Sequence, residues 1–132
     1  MDVARWSRLF DGELEAAAEA RAFVRTVLYG HLQIEAVLLV VSELVTNAIL
    51  HTASGGPSGL LVLELEDFGS HVHVAVIDQG SDTSPMPPTQ DIDDLDQESG
   101  RGLFTISLIS KAWGSEVVRV GRRVWADVIG FS

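Results

Sequence analysis

Between Ile34 and His51 runs a stretch, IEAVLLVVSELVTNAILH, that is apolar around most of a helical circumference. A helix of this kind has to be covered on nearly every side, because it has no wet face wide enough for a surface position. Ser42, Glu43, Thr46, Asn47 and His51 break that pattern on one side. The rest of the chain must therefore supply a layer for this helix to lie on while keeping that polar side for something else.

The layer is legible on either side of the helix. In Leu61–Glu66 the leucines alternate with mostly polar residues, and in His71–Val76 the valines do the same, so both segments read as strands. Residues 3–10, VARWSRLF, are expected to form a further short strand despite poor alternation. Residues 13–29 are rich in Ala, Glu and Arg and carry the stripe Phe23, Val24, Val27 and Leu28, which predicts a helix. The cluster Ser54–Gly59 ends the apolar helix in a loop. A third helix is expected over Leu103–Ala112, capped by Ser99 and stopped by Gly114. Val117–Val120 and Val124–Val128 then pair as a hairpin about Gly121-Arg122. Together these elements predict one α+β domain over residues 1–132. It is a two-layer sandwich with helices on one face of a mixed, mostly antiparallel sheet.

Charge and composition narrow the function. Nine Lys and Arg against nineteen Asp and Glu give a net charge of −10, which argues against direct nucleic-acid binding, since phosphates demand a basic surface. Cysteine is absent, excluding disulfides and thiolate metal sites. No unbroken apolar run of membrane-spanning length is expected, and the N-terminus lacks the positive-then-apolar pattern of a secretory signal, so the expectation is no membrane and a cytoplasmic location. Six of the acids, Asp82, Asp91, Asp93, Asp94, Asp96 and Glu98, lie between Ser81 and Glu98; without them thirteen acids face nine bases, a balance of −4. Pro85, Pro87 and Pro88 share that stretch, which reads as a long mobile acidic segment over 81–99.

Three short stretches carry chemistry. Glu43 and Asn47 lie four apart, hence one turn apart on one helix face. Alone, that spacing is more often a solvated side; functionally it offers a carboxylate that can take a proton and an amide oxygen that can ligate a hard cation such as Mg²⁺. Asp78 ends the strand Val72–Asp78 and shares a face with Val72, Val74 and Val76, where a carboxylate is costly unless something bonds to it. An adenine amino group would serve as donor; a turn-forming Asp before Gly80 is the equal alternative. Gly100-Arg101-Gly102 opens the third helix, whose free N–H groups suit an anion. It is not a Rossmann fingerprint, and no Walker A motif occurs. Lys111, the sole lysine, is expected at the far end of that helix, leaving Arg101 as the one basic residue beside the glycines. His71-x-His73 puts two imidazoles on one strand face, read as a half-exposed polar face, and Trp6, Trp113 and Trp125 read as packing residues.

In order, Ser42-Glu43-Leu44-Val45-Thr46-Asn47, Val76-Ile77-Asp78-Gln79-Gly80 and Glu98-Ser99-Gly100-Arg101-Gly102-Leu103 resemble the three sequence boxes of the ATPase superfamily shared by DNA gyrase B, Hsp90, histidine kinases and MutL. They are most similar to its small stand-alone branch, the anti-sigma-factor serine/threonine kinases, and the resemblance spans nearly the whole chain. It implies a Bergerat-type ATP-binding fold with ATP and Mg²⁺ as cofactors. By that resemblance Glu43 is the general base, Asn47 the metal ligand, and Asp78 the adenine-reading residue, with Gly80 admitting the base. Gly100, Arg101, Gly102 and Leu103 belong to the nucleotide site, the glycines hinging its lid. The implied partners are an RNA polymerase sigma factor, held inactive, and an antagonist protein that is phosphorylated on Ser or Thr; a homodimer is a further expectation. The second glycine of the middle box is replaced by Asp82. The rival reading is a non-catalytic ATP- or ADP-binding module that tunes protein association.

Overall fold

Alternating apolar residues on successive segments build one five-stranded sheet, in the order β1-β2-β3-β5-β4. The computed structural model describes residues 3–80 and 102–131. Its strands are β1 (Ala4–Asp11), β2 (Leu60–Asp67), β3 (Val72–Asp78), β4 (Ser110–Val118) and β5 (Gly121–Val128). The helices are α1 (Ala16–Val27), α2 (Ile34–His51) and α3 (Gly102–Ile109), with a short 3-10 turn, Ala53–Gly55, directly after α2. The architecture is the expected α+β sandwich with helices on one side. Every strand pair is antiparallel, so the parallel component that a mixed sheet would contain is absent among the described strands.

Register aligns the apolar residues into rows under the helices. Leu63 faces Val76, which faces Val124; Leu65 faces Val74, which faces Ala126; Val72 faces Val128. On this surface lies α2, burying Val37, Val40, Val41, Leu44, Val45 and Ala48, while α1 contributes Ala16, Ala20 and Val24, spaced four apart along one side. Arg21 of α1 donates to Ser42 Oγ of α2 at 2.9 Å, fixing the two helices beside one another. By length and mean hydropathy, 1.6, α2 matches a membrane span, contrary to the expectation that no such segment exists. Eight of its residues, from Ala36 to Ala48, are instead buried in the core of the sandwich.

The second half of the chain departs from expectation at two glycines, Gly114 and Gly121. The third helix ends at Ile109 rather than Ala112, and Lys111 and Gly114 belong to β4. Gly114 faces Trp125 in the register, and a Cβ on it would approach the indole Cζ2 to 3.2 Å. The glycine read as a helix stop makes room for the indole. The β4–β5 turn is Arg119-Val120, with Val118 facing Gly121, two residues earlier than expected. Gly121 answers to a different neighbour, as shown below. Ser99 and the acidic stretch 81–98 lie outside the described residues.

Leu63 is fully buried at the centre of this packing, whereas Leu9 on β1 is 57% exposed. Leu63→Ala is expected to cost about 2–5 kcal/mol through lost transfer energy and the cavity left behind. Leu9→Ala should stay within roughly 0.5 kcal/mol. Urea titration followed by circular dichroism measures both, and equal losses would contradict the assignment of the core face.

Candidate functional site

The polar side of α2 and the end of β3 meet on the helix-covered face of the sheet. Glu43 and Asn47 are both half-buried and one turn apart. Burial raises the affinity of the Glu43 carboxylate for a proton above the ordinary range. Asn47 Oδ1 is buried and has no hydrogen-bond partner among the described residues. A buried carbonyl oxygen is rarely left so; it fits a position that a ligand or a cation completes. No group of three or more His, Asp or Glu side chains among the described residues is arranged to hold a metal ion. A cation bound here would thus depend on few protein oxygens, as Mg²⁺ does when phosphates supply the rest.

Asp78 is 3% exposed on a surface otherwise built of valine and leucine. Burial pushes its carboxyl upward in proton affinity. Three things pull it back: the Gly80 N–H donating to Oδ1 at 2.7 Å, the nearby Arg122 guanidinium, and the Arg122 backbone N–H. The turn-forming reading of Asp78 is observed. It does close a tight turn onto Gly80, and it does so from the apolar face with its carboxylate turned inward.

What aligns the end of β3 with the end of α2 is Ser54, which sequence reasoning had taken for a loop residue. Thr52 Oγ1 donates to the Ala48 carbonyl at 2.6 Å, closing the last turn of α2, and accepts the Ser54 N–H at 3.0 Å. The fully buried Ser54 hydroxyl accepts the Gln79 N–H at 2.9 Å, and Ala53 N–H donates to the Gly80 carbonyl at 2.6 Å. Gly80 adopts φ 76°, a conformation that favours glycine. Gly121 lies so close that a Cβ there would sit 2.2 Å from the Asp78 carbonyl oxygen. The only local signal for the clamp was Thr52-x-Ser54, a spacing that forms hydroxyl turns.

Of the other expected site residues, Gly102 and Leu103 open α3, whereas Gly100 and Arg101 lie outside the described residues. Lys111 is on β4 rather than at a helix end. The cation beside Asp78 is Arg122, which the sequence reading assigned only to a turn. The His71-x-His73 pair does have a carboxylate companion, Asp127, brought from β5. His73 Nδ1 lies 2.6 Å from Asp127 Oδ1, and Arg123 Nη2 donates to His73 Nε2 at 2.7 Å. A guanidinium only donates, so Nε2 accepts and Nδ1 carries the hydrogen directed at Asp127. This network occupies the uncovered face of the sheet. A depression of about 740 Å³ near Asp11, Leu50 and Pro57 contains none of Glu43, Asn47 and Asp78.

Residues 10–126 match a family model described as a histidine kinase-like ATPase domain. No curated protein matches the chain.

The raised proton affinity of Asp78 has a consequence for stability. A buried acid whose folded value exceeds its unfolded one favours the native state at low pH and opposes it once both forms are ionised. The stability of the wild type relative to Asp78→Asn should therefore fall as pH rises from below 3.8, the ordinary carboxylate value, towards neutrality. Denaturant midpoints of the two proteins across that range measure the difference; a gap independent of pH would show that burial leaves Asp78 unperturbed.

Proposed function

Because the chain belongs to the family of histidine kinase-like ATPase domains, with ATP binding as the family's common property, we propose that it is an ATP- and Mg²⁺-dependent serine/threonine protein kinase acting as an anti-sigma factor. In this reading it holds an RNA polymerase sigma factor and phosphorylates the antagonist that would release it. The observation that carries the catalytic part is the pair on α2: Glu43, made more basic by burial, one turn before Asn47, whose Oδ1 is buried with no partner among the described residues. The regulatory part is supported by the order and spacing of the three sequence stretches.

Each residue has a defined task. Asp78 accepts a hydrogen bond from the adenine amino group, and the Ser54 clamp holds that acceptor in register with α2. Asn47 Oδ1 is the residue that would hold Mg²⁺, and when bound the ion offsets charge on the phosphates. The hydroxyl oxygen of the substrate Ser or Thr forms its bond to the γ-phosphorus while the bond from that phosphorus to the bridging oxygen breaks, releasing ADP. The hydroxyl proton passes to Glu43. Positioning and charge neutralisation supply most of the rate in such transfers, so the small set of groups is sufficient. The Gly100-Arg101-Gly102 sequence is assigned to the phosphates.

The acidic stretch Asp91–Glu98 and the Asp82 that replaces a glycine favour the second reading, a nucleotide-binding module without transfer. The variants separate the two. Glu43→Gln should reduce transfer of labelled phosphate to the antagonist by at least about a hundredfold, within the range for loss of a general base. Its affinity for ATP should stay near that of wild type. Wild type that binds ATP tightly and transfers nothing to its antagonist supports the module and removes the kinase.

A further inference from the structure

We infer that Arg122 is the second half of the base reader, its guanidinium donating to ring nitrogen N1 of adenine while Asp78 accepts from the N6 amino group. This rests on the nucleotide reading above and extends it to a residue that the three sequence stretches do not contain. Asp78 on β3 and Arg122 on β5 are directly paired in the register. Paired residues of an antiparallel sheet project from the same face, so the guanidinium belongs to the surface on which Asp78 is buried. On its far side, Arg122 Nη1 lies 3.4 Å from Ser115 Oγ of β4, to which it donates. The backbone around the pair is closely set. Gly121 packs against the Asp78 carbonyl, Gly80 turns onto the carboxylate, and Ser54 holds Gln79.

The pair presents an acceptor beside a planar fork of donors that accepts nothing. The Watson–Crick edge of adenine presents the complement, an amino donor at N6 beside an acceptor at N1. Guanine and hypoxanthine reverse both positions: O6 would face the carboxylate, and the N1–H would face the guanidinium. A site with Asp78 alone distinguishes the bases at one position; with Arg122 it distinguishes them at two. The Asp78 carboxylate retains acceptor capacity for the task, since an ionised carboxylate has about four lone-pair positions and two backbone N–H groups approach it.

The test is a calorimetric cycle between residue 122 and N1. Wild type, Arg122→Met and Arg122→Lys are titrated with ATP and with 1-deaza-ATP, in which a C–H replaces N1. Thermal melts verify that each variant is folded. Wild type should bind 1-deaza-ATP about ten- to a hundredfold more weakly than ATP, the size of a hydrogen bond to a charged group. In Arg122→Met the two ligands should bind alike, and Arg122→Lys should restore part of the preference. If the ratio of the two affinities is the same in wild type and Arg122→Met, Arg122 acts only on Asp78 and the inference is overturned. In that outcome ATP binding that weakens in Asp78→Asn leaves the nucleotide reading standing. A wild type that binds no ATP removes both.

Discussion

A carboxylate buried at the end of a valine strand sets terms that much of the surrounding structure meets. Moving an ionised acid from water into apolar surroundings is costly unless it is bonded or neutralised. Asp78 is met by the Gly80 N–H, by the Arg122 N–H and by the Arg122 guanidinium. Each of these requires something further. The Gly80 donor needs a left-handed turn, the Arg122 donors need β5 immediately alongside β3, and that approach leaves no space for a Cβ at position 121. The hairpin joining β4 to β5 thus turns at Arg119-Val120 so that Gly121 can lie against β3. A buried acid with a raised proton affinity is a candidate site residue, and the proposed donor-bearing ligand is consistent with it.

The two halves of the site come from different elements, and their alignment depends on the loop between α2 and β2. Thr52, Ala53 and Ser54 tie the last turn of α2 to the residues that follow β3. A displacement at this clamp would move Asp78 relative to Asn47 without touching either. The clamp is polar and fully buried at Ser54, so its bonds are made away from water, where an unsatisfied hydroxyl or amide would be costly. That makes it a rigid joint on which a binding geometry can rest.

How much of this was legible follows the range of the interaction. The extent of α2, the strands on either side of the loop and the inward side of Asp78 are properties of local period, and the structure agrees with them. Ser54 meets Gln79 across 25 residues and His73 meets Asp127 across 54, and no local pattern announces either contact. Arg122 was read as a turn residue because Gly121 beside it carries a turn signal. Gly114 was read as a helix stop for the same reason. In both places the glycine answers to a crowding neighbour, Asp78 in one case and Trp125 in the other, and crowding is decided by the sheet. The family resemblance led to the expectation of Glu43, Asn47 and Asp78 as site residues from their order, but it had no means of supplying the residue opposite Asp78.

Charge then decides how a polyphosphate would be accommodated. With nine basic residues against nineteen acidic ones, the chain has little to offer phosphates, and much of what it has is engaged elsewhere. Arg5 pairs with Glu66, Arg123 lies between Glu64, Glu116 and His73, Arg8 stacks over Phe10, and Arg21 holds Ser42. Arg122 stands with Asp78, at the base end of the proposed site rather than the phosphate end. In the proposed reading, neutralisation would fall to the amides at the start of α3, to Arg101 and above all to a bound cation. The buried Asn47 oxygen, which has no partner among the described residues, is the proposed ligand for that cation. An acidic protein can bind a tetra-anion on these terms, provided the anion arrives with its own divalent ion.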